Sequence, residues 1–149
     1  MESALCGPRT IELLRIAFDP DGYAHISYWD STNTRLKHAK GTFVDGSTSW
    51  AVEEVDNIAS VGTLTSIACN SESEVYISYY DTTNTALKRA RGYWKVINGT
   101  PTWVWSRTTV DGQGSASAGR FSSIQVDTAD VVKISYYDLT NKDLKFASK

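Results

Sequence analysis

The chain has 149 residues, 21% of them charged, and a formal net charge of −2. That length holds one domain with its own core, and that charge balance excludes the basic footprint of a nucleic-acid binder or of a protein drawn to an anionic membrane surface. A hydrophobic content of 41% excludes disorder, and no apolar run reaches the roughly 20 residues of a membrane-spanning helix.

The opening MESALCGPRT lacks the basic-then-apolar order of a secretory signal, so a soluble chain with no readable address is expected. Residues 1–11 carry little pattern beyond the apolar Ala4, Leu5 and Cys6. From about residue 12 the chain reads as short strands separated by turns. LLRIAF is the first strand, and DPDG after it is a tight reversal. ISYWD is the second, LKHAKG the third, and SWAVEEV the fourth, following the turn VDGST. The same series returns as TSIAC, ISYYD, LKRARG and TWVWSRTTV, with Asn98-Gly99 as a hairpin signal before the last strand. It returns once more as SSIQV, ISYYD and LKFASK, where the chain ends before a fourth strand. The three units are placed at about 12–56, 63–111 and 120–149.

The anchors of this repeat are Ile26, Ile77 and Ile134, spaced by 51 and then 57 residues. Ile16, Ile67 and Ile124 precede them by ten residues, and Leu36, Leu87 and Leu144, each followed by Lys, lie ten residues after. Length is therefore fixed across the first three strands and varies elsewhere. Four antiparallel strands repeating every 40 to 50 or so residues is the pattern of a β-propeller blade. The strand ISYYD carries bulky residues on both alternating faces, as a strand covered on both sides does. The expected fold is all-β: three blades per chain, the third lacking its outer strand. A solenoid and a three-hairpin sandwich are the competing architectures.

The three copies ISYWDSTNTRLKHA, ISYYDTTNTALKRA and ISYYDLTNKDLKFA resemble the blades of uncharacterised bacterial and archaeal repeat proteins, similar to the sialidase-like, Asp-box propellers. The resemblance runs from about Leu13 to Lys149. The family's box, Ser-x-Asp-x-Gly-x-Thr-Trp, has degraded counterparts here. FVDGSTSW keeps Asp45, Ser49 and Trp50, and VINGTPTW keeps Thr102 and Trp103 with Asn98 in place of the Asp. Matching the strands by their Val-Asp ends aligns Trp50 with Trp105 instead. The resemblance implies architecture rather than catalysis.

A closed ring takes about 4 to 8 blades, so three leave two apolar flanks larger than a monomer commonly tolerates. Two copies make six blades, and a homodimer related by a twofold axis is the expected partner arrangement. Residues 1–11, Met1 to Gly7 above all, are expected to pair with the partner chain in the place of the missing outer strand, a frayed terminus being the other reading.

In propellers the turns between second and third strands share a face with the connections between blades. That groups Asp30, Asn33, Asp81, Asn84, Asp138 and Asn141 with the neighbouring rings of Trp29, Tyr80 and Tyr137. Carboxylates and amides beside flat rings suit a glycan, a peptide or another small polar molecule. Turn formation alone also explains the Asp and Asn, and packing between blades also explains the rings. Asp138, Asn141 and Asp143 offer too few oxygens for a hard cation, and Cys6, Cys69, His25 and His38 form no zinc pattern, so neither metal nor cofactor is expected. The repeated Lys37, Lys88 and Lys145 are expected on a solvated strand face. No arginine cluster, no pair of carboxylates and no nucleophile motif stands out. The expected function is a non-catalytic binding scaffold. The alternatives are a sialidase-like glycoside hydrolase and a purely structural, self-associating propeller fragment.

Overall fold

The computed structural model describes residues 11–58, 60–112 and 117–148, with side chains from residue 14 onward. The segment Met1 to Gly7, expected to pair with a second copy, lies outside the described residues. Those described form eleven antiparallel strands in three sheets, with no helix among them. The first sheet is β1 (Ile11–Phe18), β2 (Ala24–Asp30), β3 (Arg35–Val44) and β4 (Ser47–Asp56), paired in that order. The second is β5 (Val61–Cys69), β6 (Val75–Asp81), β7 (Ala86–Ile97) and β8 (Thr100–Asp111). The third has β9 (Ala118–Val126), β10 (Val132–Asp138) and β11 (Asp143–Ser148), with β10 in the middle.

The turns follow from their residues. Asp19 Oδ1 accepts the Tyr23 N–H at 2.8 Å, and Asp127 Oδ1 accepts that of Val131 at 3.0 Å, so each carboxylate closes its own β-turn. β3 and β4 are joined by Asp45-Gly46, and β7 and β8 by Asn98-Gly99, all four at positive φ. Two-residue turns of that kind match the twist of the strands they join. They fix the register: Trp50 lies opposite Gly41 and Trp105 opposite Gly92. Trp105 is therefore the counterpart of Trp50, and the place of Trp103 is taken in the first sheet by Thr48.

The sheets stack face to face in chain order. β5 packs across β1, β2 and β3, and β9 packs across β5, β6 and β7. Leu36 and Val55 of the first sheet meet Val61, Ile67, Ile77 and Tyr79 of the second in one core. Tyr76 and Leu87 of the second meet Ile124, Ile134 and Tyr136 of the third in another. The second sheet is thus covered on both sides, and all seven residues of β6 are buried. That is the physical reason for its lack of polar alternation.

Each joint is built the same way. Gly62, the second residue of β5, lies at φ +98, and a Cβ added there would lie 2.6 Å from the Leu36 Cβ; Gly119, the second residue of β9, lies at φ +106, with 2.5 Å to the Leu87 Cβ. The backbone of each new sheet is laid directly on the leucine of the one before, which requires both a left-handed conformation and no side chain.

A second element crosses each joint. Asp56, at the end of β4, accepts the Tyr79 hydroxyl at 2.7 Å and the Lys88 ammonium at 2.6 Å. Asp111, at the end of β8, accepts Tyr136 at 2.7 Å and Lys145 at 3.2 Å. The repeated lysines are therefore not on a solvated face. Lys37 and Lys88 are buried, and Lys145 pairs with both Asp111 and Asp138. For Lys88 and Lys145 the expectation failed because Asp56 and Asp111 arrive from the neighbouring sheet, out of reach of a strand-by-strand reading, while Lys37 is drawn in by Asp30 of its own sheet.

The two outer flanks break the pattern. Ile16 is 54% exposed where Ile67 and Ile124 are 6% and 0%, and Leu144 is 82% exposed where Leu36 and Leu87 are both 0%. Phe18 and Leu14 extend the first exposed patch, and Phe146 and Phe121 lie in the third sheet, Phe146 beside Leu144 on β11.

Candidate functional site

The three Asp-x-Thr-Asn turns and the two connections between sheets are stitched together at one end of the molecule. The Ser60 N–H donates to the Thr34 carbonyl at 3.0 Å, and the Thr82 N–H donates to the Ser60 carbonyl at 3.1 Å. In the next joint, the Ala118 N–H donates to the Thr85 carbonyl at 3.1 Å, and that of Leu139 to the Ser117 carbonyl at 2.9 Å. Ser117 N–H also donates to Thr140 Oγ1 at 2.7 Å.

Within each turn the chemistry repeats. The Asn33 side-chain amide donates to Asp30 at 2.8 Å, and those of Asn84 and Asn141 to Asp81 and Asp138 at the same distance. The backbone N–H of each Asn donates to the other carboxylate oxygen, at 3.2, 3.0 and 3.0 Å. The strand's own lysine completes the set, with Lys37 3.1 Å from Asp30, Lys88 3.8 Å from Asp81 and Lys145 2.7 Å from Asp138. Burial pushes the Asp30 carboxyl up, but the hydrogen bonds from Asn33 and Lys37 outweigh it and hold it at about 2. The Asp138 carboxyl is lowered still further, first by Lys145 and then by Asn141. All three carboxylates are buried and face into the turn, while Asn33, Asn84 and Asn141 are exposed. Of the rings, Tyr80 is buried, its hydroxyl 3.0 Å from Ser117 Oγ, whereas Trp29 and Tyr137 are half-buried. This end therefore presents amides and backbone to solvent, with its acids engaged beneath.

A second cluster was not found from sequence. His25 and His38 stack with ring centroids 5.1 Å apart and 16° between planes. Asp19 Oδ2 lies 3.1 Å from His25 Nε2, His25 Nδ1 lies 2.9 Å from His38 Nε2, and His38 Nδ1 lies 2.8 Å from Glu53 Oε1. Trp105 of the second sheet closes edge-on against His38 at 5.2 Å. Both imidazoles are buried. Burial, the largest influence, lowers the pKa of His25, opposed by its hydrogen bond to Asp19 and reinforced by the neighbouring His38. Only Glu53 of this chain reaches solvent, its side chain 38% exposed.

Glu53 opens onto a cleft of about 230 Å³ between the first two sheets. Ala51 and Val52 of β4 form one side, with His38 and Lys40 of β3 beside them. Trp94 and Trp103 of the long β7–β8 hairpin form the other, edge to face with centroids 5.5 Å apart. Lys40 Nζ sits 4.1 Å from the Tyr23 ring centroid. The signal that could have found this cluster is departure from the repeat. Arg89 and Phe146 stand where His38 does, Tyr76 and Lys133 where His25 does, and Thr48 where Trp103 does. Elsewhere, burial pushes the Cys69 thiol up to about 12, which favours the protonated form at neutral pH. Among the described residues no group of three His, Cys, Asp or Glu is placed to hold a metal ion. No protein-family model matches the chain, and no curated protein matches it.

Proposed function

We propose that this chain is half of a six-bladed propeller, completed by a second copy, and that the ring is a non-catalytic binding scaffold of the sialidase-like, Asp-box kind. The observation that carries the reading is the pair of open flanks. Leu144, fully exposed by the standard of its buried counterparts Leu36 and Leu87, and Ile16, against Ile67 and Ile124, are the two halves of one more joint. Three stacked sheets fall short of the number that closes a ring, and a twofold axis doubles them.

The first internal joint supplies the pattern for the closing one. Trp105 packs on His38 across the first joint; the counterpart of Trp105 is Trp50, and that of His38 is Phe146. The closing joint therefore sets the partner's Trp50 against Phe146, an apolar pair in place of the polar one used inside the chain. In such a ring the Asp-Asn turns of both copies surround one mouth. A small polar molecule, glycan or peptide held there meets Asn33, Asn84 and Asn141 and the flanks of Trp29 and Tyr137, while Asp30, Asp81, Asp138 and Tyr80 hold the turns beneath.

Cysteines placed at 50 and 146 in a Cys6→Ser background, treated with a short bismaleimide, test the arrangement. A covalent dimer that also forms when each chain carries only one of the two cysteines is expected. A folded protein that yields only uncrosslinked chains overturns the reading.

A further inference from the structure

The cleft between the first and second sheets goes beyond that reading, because it lies wholly within one chain and needs no second copy. It is made of residues the repeat does not explain. Repeated positions such as Leu36, Asp56 and Lys88 are accounted for by the joints they build. Trp103, His38 and Glu53 depart from the repeat yet line one cleft, and His25, which departs too, lies behind His38. Trp94 stands at its edge 64% exposed, on a hairpin whose strands run two residues longer than those of the first sheet. A large indole held in water beside a preformed recess, in T-shaped contact with Trp103, offers a flat apolar surface.

The polar groups around that surface select the ligand. Glu53 Oε1 is held by His38, leaving Oε2 with no partner among the described residues, so an acceptor faces the cleft. Lys40 supplies donors from the adjacent strand of the same sheet, its ammonium resting on the Tyr23 ring. A cationic ligand would meet Lys40, and an anionic one would meet Glu53, each as a like charge in a partly desolvated recess. A purely apolar ligand would leave both groups unpaired. A neutral ring with one apolar face and a rim of hydroxyls that both donate and accept suits the indole, the carboxylate and the ammonium together. The cleft volume admits one such ring. The stacked His25 and His38, anchored on Asp19, fix the Glu53 carboxylate in place, so they are positioning residues.

We propose that this cleft binds a single neutral pyranose sugar, stacked on Trp94 with its hydroxyls bonded to Glu53 and Lys40. The expected affinity is in the millimolar range, as for a ligand of about a dozen heavy atoms. The test is tryptophan fluorescence with saturation-transfer NMR on the full chain. The probes are the methyl glycosides of glucose, galactose, mannose and fucose, with N-acetylneuraminate and choline as charged comparators. At least one neutral glycoside is expected to bind saturably, and its affinity to fall at least tenfold in Trp94→Ala and in Glu53→Gln, with melting temperature and molecular mass unchanged. Glu53→Asp should recover part of the loss, and His38→Gln should weaken binding less than Glu53→Gln. Silence from all four glycosides up to about 100 mM, preference for either charged comparator, or binding unaltered in Trp94→Ala overturns the proposal. None of these outcomes touches the ring, which the mass reports separately.

Discussion

Gly62 rests its Cα against Leu36: a Cβ built on the glycine would lie 2.6 Å from the leucine Cβ and 2.7 Å from its Cα. Gly119 stands in the same relation to Leu87. Both are closer than non-bonded carbon atoms approach, and the nearest atoms, Leu36 and Leu87 backbone and Cβ, cannot swing aside. Gly62→Ala and Gly119→Ala are each expected to cost more than about 3 kcal/mol, combining an unfavourable positive φ with overpacking. Gly99→Ala, at φ +80 with nothing within 4 Å, carries the conformational cost alone, about 1 kcal/mol. Urea unfolding of the three variants checks the order. Equal losses at Gly62 and Gly99 would contradict the close docking of sheet on leucine.

The Asp56 carboxylate joins two sheets through Tyr79 and Lys88 while fully buried. Removing it leaves Lys88 buried, with Asp81 at 3.8 Å as its remaining counter-charge, so Asp56→Ala should destabilise by about 3–5 kcal/mol. Tyr79→Phe removes one hydrogen bond to a charged acceptor, about 1.5–3 kcal/mol. Asp111→Ala should cost less than Asp56→Ala, since Lys145 is partly exposed and keeps Asp138 at 2.7 Å. A thermal-melting comparison in which Asp111→Ala is the more damaging would contradict this account of the joints.

Stability should fall on the acid side, in a window the carboxylates define. Burial favours protonation of Asp30, yet the Asn33 and Lys37 hydrogen bonds win and lower it from 3.8 to about 2. Asp56 and Asp111 shift in the same direction, burial being outweighed by Lys88 and Tyr79 in one and by Tyr136 and the Gly112 N–H in the other. A folded carboxyl that binds its proton less readily than the unfolded one stabilises the fold above the unfolded value. That contribution is lost as pH drops toward the folded value. Unfolding midpoints should therefore decline from about pH 4 toward pH 2 on account of these groups. Asn33→Ala, which removes one donor to Asp30, should move the decline to higher pH. An unfolding midpoint unchanged down to pH 3 in both proteins would contradict the assignment.

The repeat made much of this architecture legible. The fixed spacing of Ile16, Ile26 and Leu36, returning twice, predicts the series of first, second and third strands, because each anchor fills the same slot in each sheet. Asp30 and Asn33 were legible as turn formers, since their bonds are local. What the sequence hid is whatever crosses a joint. The burial of Lys88 depends on Asp56, 32 residues earlier, and the stacking of His25 on His38 depends on the pairing of β2 with β3. The partnership of Trp50 with Gly41, and hence the identity of Trp103 as the odd residue, rests on two-residue turns whose register the sequence left open between two alignments.

The account stands or falls on whether Leu144 and Ile16 are covered in solution. Light scattering of the purified chain, with Leu144→Asp as its companion, measures this most directly. The account predicts twice the chain mass of 16.5 kDa for the natural sequence, and a single chain mass with β-sheet circular dichroism retained for the variant. A natural sequence that runs as a stable, folded single chain at micromolar concentration would contradict it.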